Sequence, residues 1–116
     1  MKENILIDKS IAFAARIVKL HDFLIKNKRG LTIAKQVIRS GTSVGANIRE
    51  AFYGHGTADF IAKLQIALKE CSESEYWLEL LIESGYYDNN DILDKCIEVK
   101  KLLISSINTA KGKLNK

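Results

Sequence analysis

Proline is absent from the 116 residues, so no position is barred from a helix by a fixed φ or a missing N–H. Seven glycines supply most of the breaks instead. No apolar run approaches the ~18–20 residues that cross a bilayer. The opening MKENILIDKS has neither the apolar stretch nor the small-residue cleavage site of a secretory signal. Cysteine occurs twice, at Cys71 and Cys96, and not in a CxxC spacing, which gives no disulfide framework. The expectation is a cytoplasmic protein with reduced thiols and no membrane partner. The length fits one domain, residues 1–116, with a single core.

What is present is strongly patterned. Residues 1–49 hold ten Lys/Arg against three Asp/Glu, a net of +7. Residues 50–98 hold three against eleven, a net of −8, and residues 99–116 carry five lysines and no acid. Such blocks arise either from a basic surface for a polyanion or from basic and acidic elements packed together.

Apolar spacing predicts an all-α chain. A first helix over 8–27 has Asp8 as its cap and Phe13, Ile17, Leu20 and Leu24 as its stripe, ending at NKRG, where a helix C-terminus favours cations and glycine. A second spans 31–53 and stops at GHG. A third, 57–84, is capped by Thr57 and carries Phe60, Leu64, Ala67, Cys71, Ser74, Leu78 and Leu81 at heptad spacing, with Gly85 beyond its end. A fourth, 89–114, is signalled by Asp88 and Asp91 and runs on Ile92, Cys96, Val99, Leu103 and Ala110. Short connections between long helices give an antiparallel up-down four-helix bundle.

The segment RSGTSVGANIREA, Arg39–Ala51, has the composition of a phosphate loop. It lacks the P-loop and GxGxxG spacings and a preceding strand. Gly41, Val44, Ile48 and Ala51 instead extend the stripe of Ala34 and Val37, so the segment is a helix. Two interior glycines cost about 1 kcal/mol each relative to alanine, and close approach of a neighbouring helix is the reason to keep them.

This segment, followed by DFIAKLQIALKECSESEYWLELLIESGYY, resembles the four-helix-bundle family of 23S ribosomal RNA intervening-sequence proteins. The shared core is met by Arg39, Ser40, Ser43, Asn47, Ile48 and Glu50, then by Ala67, Leu68, Glu70, Glu73, Tyr76, Trp77 and Leu78. Ala51 stands where many members have glycine. The resemblance implies a bundle that assembles into a ring-like homo-oligomer, often a pentamer. It also implies a nucleic-acid link, because some members are encoded within insertions of bacterial large-subunit ribosomal RNA genes. It implies no catalytic activity and no cofactor.

Lys28, Arg29, Lys35, Arg39 and Arg49 are the candidate phosphate contacts. Antiparallel pairing of helices two and three about residue 55 sets Arg39 opposite Glu70 and Lys35 opposite Glu75, which favours an ion pair for Arg39; Lys28 and Arg29, in a loop, are the better phosphate ligands. Ile66, Trp77 and Leu80 form a second apolar line away from the heptad stripe, and with Tyr76 they are the candidate oligomer interface. Asn47 is expected to make an inter-helix hydrogen bond, with Ser43 or a neighbouring backbone as partner.

Glu70, Glu73, Glu75, Glu79 and Glu83 crowd one helix, but Val18 and Phe52 stand where a di-iron bundle needs glutamate three residues before His21 and His55. No metal site is expected. Pairing helices three and four about residue 87.5 sets Cys71 opposite residue 104 and leaves Cys96 ~12 Å away. The resulting expectation is a non-enzymatic oligomeric bundle that presents a basic surface to RNA or DNA. The other reading is a protein-interaction adapter that uses the face of Trp77.

Overall fold

The computed structural model describes residues 2–115, with side chains from Ile5 onward. Four helices are joined by short connections: α1 Lys2–Lys26, α2 Leu31–Phe52, α3 Gly56–Glu83 and α4 Asp91–Leu114. Each packs on its chain neighbour, α4 returns to α1, and among the described residues the diagonal pairs make no close backbone approach. The result is a rod of 51 × 21 × 20 Å. Along α2 and α3, Glu50 meets Lys63 while Arg39 meets Glu70, so the two run antiparallel.

The core is built from the predicted stripes. Phe13, Ile17, Leu20 and Leu24 of α1 are buried with Val37, Val44 and Ile48 of α2. Leu64, Leu78 and Leu81 of α3 and Ile92, Val99 and Leu103 of α4 complete the set. Three boundaries differ from the sequence expectation. α1 begins at Lys2 and not Asp8, because Leu6 and Ser10 extend the buried stripe by two turns while Asp8 lies on the exposed side. Thr57 does not cap α3. His55 is the cap residue, and its backbone N–H donates to Asp59 (3.3 Å). At α4, Asn89 and not Asp88 accepts the first-turn N–H of Asp91 (2.8 Å). The α3 stripe also starts one residue later: Ile61 is buried, and Phe60 turns toward Phe52 with ring centroids 5.2 Å apart.

The register of α3 against α4 also departs from expectation. Cys71 and Cys96 face each other with Sγ atoms 3.8 Å apart, not ~12 Å. The cause lies in residues 84–90. The Tyr86 and Gly85 N–H groups donate to Leu81 and Ile82 carbonyls (3.0 and 3.1 Å) in a Schellman turn, with Gly85 at φ +77°. The Tyr87 N–H also donates to Leu81 (3.3 Å), and its ring packs edge-on against Phe23 of α1. The connection therefore folds back over the last turn of α3, and α4 starts beside an earlier part of that helix than a symmetric turn would allow.

The end of α1 has the same hydrogen-bond pattern, Arg29 N–H to Leu24 and Lys28 N–H to Ile25 (2.9 and 3.2 Å). Here the left-handed position is Lys28, at φ +52°. A side chain there costs roughly 1 kcal/mol that glycine avoids. Lys28→Gly is expected to raise the denaturant midpoint by the equivalent of about 0.5–1 kcal/mol.

Ser40 and Ser74 are the polar contact between α2 and α3 inside the core. Both are fully buried, their hydroxyls lie 2.8 Å apart, and Ser74 also reaches the Glu70 carbonyl (2.9 Å). Each buried hydroxyl thus has a partner, as burial requires.

Candidate nucleic-acid and subunit interfaces

On α2 the buried positions face α1 and α3, which leaves Lys35, Thr42 and Arg49 exposed at seven-residue spacing along one outer line. Two heptads of helix separate Lys35 from Arg49, ~21 Å. Lys28 and Arg29 are exposed in the loop that precedes the line. Among the described residues none of these four cations is in an ion pair. Arg39 differs. Its guanidinium bonds Glu70 (2.9 Å) and also Glu73, and the Glu70 hydrogen bond raises its pKa further. The structure therefore pairs Arg39 across α2–α3, where the antiparallel register sets it. Glu75, expected opposite Lys35, is instead held by Lys100 of α4 (2.5 Å). Glu75 lies on the side of α3 that faces α4, and Lys35, on the outer line of α2, is in no ion pair among the described residues.

The candidate interface residues separate into two kinds. Ile66 and Tyr76 are 45% and 57% exposed. Trp77 and Leu80 are half-buried. Trp77 does not turn away from the core: its ring packs against the core's flank and edge-on to Tyr76, and its indole N–H donates to Glu73 (3.2 Å). Glu73 thus ties Trp77 and Arg39 together. Asn47 meets Ser43, one of its two expected partners, but it donates to the Ser43 carbonyl one turn back on its own helix (2.9 Å) and not across to a neighbouring helix. Glu50 is paired with Lys63 (3.3 Å).

The geometry brings forward residues that the sequence reading passed over. Ile11, Val18 and Ile25, seven apart on α1, are 55%, 44% and 46% exposed, an apolar line on the outside of the bundle. Their spacing was visible in the sequence, but it lay beside the stronger core stripe. Tyr53, the residue that ends α2, is 83% exposed.

Chemically, the arrangement can neutralise phosphates and bury apolar area against a partner. Among the described residues no three His, Cys, Asp or Glu side chains are placed to hold a metal ion. No helix among them is long and apolar enough to cross a membrane.

The sequence profile of the 23S rRNA-intervening sequence protein family matches residues 2–105. The chain belongs to this family. A solved structure of an S23 ribosomal protein family member of unknown function from Bacteroides thetaiotaomicron superposes on this family member with a TM-score of 0.88 at 52% identity. The match covers 93% of this chain and 99% of that one. No curated protein matches.

Proposed function

We propose that the protein is a non-enzymatic, self-associating helical bundle that binds RNA or DNA through the outer side of α2. The observation that carries this reading is the line Lys28, Arg29, Lys35 and Arg49, exposed and unanswered by carboxylates, while Arg39 among them is neutralised. Cations so placed contact phosphate without reading sequence. The family's link to ribosomal RNA genes supports the same partner class. Self-association into a ring, a pentamer by resemblance, is supported by the exposed apolar lines Ile11–Val18–Ile25 on α1 and Ile66–Tyr76 on α3. A ring would repeat the basic line around its circumference and multiply a modest charge.

The test is fluorescence anisotropy with labelled RNA and DNA at several salt concentrations, beside the assembly mass from light scattering. Log affinity should fall linearly with log salt, with a slope of about −0.7 to −0.9 per phosphate engaged. The quadruple variant Lys28→Glu, Arg29→Glu, Lys35→Glu, Arg49→Glu should lose at least ~100-fold in affinity at low salt while keeping its assembly mass. An unchanged affinity, or no binding by the native protein at low salt, overturns the reading.

One observation favours a second reading, a protein-interaction adapter. Tyr76 lies in a shallow surface depression with Glu79, Leu80 and Glu83, an aromatic anchor on an acidic rim suited to a basic segment of another protein. Binding that survives the charge reversals and is lost with Tyr76→Ala would establish it.

A further inference from the structure

The basic line of α2 ends at Tyr53. This residue caps the helix at φ −104°, four positions after Arg49, and is the most exposed of the large apolar side chains at 83%. Among the described residues it takes part in no aromatic pair, whereas the neighbouring Phe52 packs against Phe60 at 5.2 Å. Beside it a groove of about 300 Å³ opens between the α2–α3 connection and the end of α4, walled by Phe52 and Phe60 with Lys113 at its edge. Gly56 faces open space on the rim, with nothing within 4 Å of where a Cβ would stand. The acids nearby are engaged: Glu50 pairs with Lys63, and Asp59 accepts the His55 N–H. A ring with no aromatic partner among the described residues, a groove with two phenylalanine walls, and Arg49 and Lys113, neither in an ion pair among those residues, therefore lie at one end of the rod.

We infer that Tyr53 and this groove hold an unpaired nucleobase, with Arg49 and Lys113 on the flanking phosphates, so that the nucleic acid taken by the α2 line is single-stranded at this end of the bundle. The inference rests on the reading above that α2 binds nucleic acid. Every base has a π-face, so stacking on an exposed ring tolerates sequence but requires the base to be out of a duplex. Arg49, Lys63 and Lys113 outnumber Glu50 and Asp59 at this end, which favours a polyanion over an apolar peptide.

The test compares labelled single-stranded RNA, single-stranded DNA and duplex RNA of matched sequence, each titrated with the native protein, Tyr53→Ala and Tyr53→Phe. Tyr53→Ala should weaken single-strand binding by about 5- to 150-fold, the range for loss of one stacked base. Duplex binding should be unchanged. Tyr53→Phe, which keeps the ring, should restore single-strand affinity to within about threefold of native. A stronger effect on RNA than on DNA would support the site and add a 2′-hydroxyl contact to it. Native-like single-strand affinity in Tyr53→Ala, with binding still lost in the α2 charge-reversal variant, overturns this inference and spares the reading beneath it. Failure of the native protein to bind any of the three probes overturns both. A change of assembly mass in Tyr53→Ala assigns the ring to a subunit contact and also overturns the inference.

Discussion

Replacing Gly41 by alanine destabilises the bundle by up to about 2 kcal/mol, whereas Gly45→Ala, one turn further along the same face, is neutral or stabilising by up to about 1 kcal/mol. The two glycines look equivalent in sequence and gain the same ~1 kcal/mol of helix propensity on substitution. Their surroundings decide the sign. A Cβ at Gly41 would stand 2.8 and 2.9 Å from Cγ1 and Cγ2 of Ile17, a fully buried side chain on α1. Those atoms sit next to the Ile17 Cβ and cannot swing aside, so the helices must part, at the ~1–3 kcal/mol of an overpacked core. At Gly45 the nearest atom is the Ser10 hydroxyl at 3.6 Å, an ordinary contact. Urea denaturation of the two variants measures the difference. Ile17→Ala removes the clashing atoms, so Gly41→Ala with Ile17→Ala should cost at least ~1 kcal/mol less than the sum of the single changes. Equal effects at the two glycines would refute close helix approach as the reason for Gly41.

Stability should decline in alkali more steeply in the native protein than in a Cys96→Ala variant. The Cys96 thiol is hydrogen-bonded to Cys71, its partner across α3–α4, and fully buried; both effects push its pKa well up from the ordinary 9.0. The sign follows from proton counting. Below about pH 9 folded and unfolded chains both hold the proton, and the contribution is intact. Above it the unfolded chain releases the proton while the folded chain keeps it, and stability falls by about 1.4 kcal/mol per pH unit. Between about pH 9 and 11 the native protein should lose about 2 kcal/mol more than Cys96→Ala. Denaturant midpoints under reducing conditions across that range decide it. Parallel curves would mean that Cys96 ionises as freely in the fold as out of it.

The sequence made the helices legible because each buried stripe repeats at heptad spacing over five or more turns, and Gly85 and the NKRG turn mark their ends. It failed where geometry is set by a few residues outside the stripes. Asp8 looked like a cap because Leu6 sits between two other apolar residues, Ile5 and Ile7, which hide the helical period there. The meeting of Cys71 with Cys96 was invisible because the midpoint of a connection in sequence is its midpoint in space only when the chain turns symmetrically. Halfway between 71 and 96 is 83.5, and the observed pairing sits there because Tyr86 and Tyr87 fold back over Leu81. At the candidate surfaces, the Arg39–Glu70 pair could be read from antiparallel counting. The pairing of Glu75 with Lys100 and not Lys35 could not, because it depends on how α3 is turned toward α4. Tyr53 carried no periodic signal, since its exposure comes from standing where α2 stops.

The Ser40–Ser74 contact gives the molecule a means of counting. Heptad stripes are nearly self-similar, so sliding α3 along α2 by seven residues would set one apolar face against another and leave most of the buried area intact. Such a slip would place Ala67 or Leu81 opposite Ser40 and strand its hydroxyl in the core, at about 1–3 kcal/mol for the unsatisfied group, while Ser74 keeps the Glu70 carbonyl on its own helix. One pair of hydroxyls, 2.8 Å apart and out of reach of water, thus singles out one alignment among several that hydrophobicity alone would accept. It works as a vernier mark between the two most extensively paired helices of the rod.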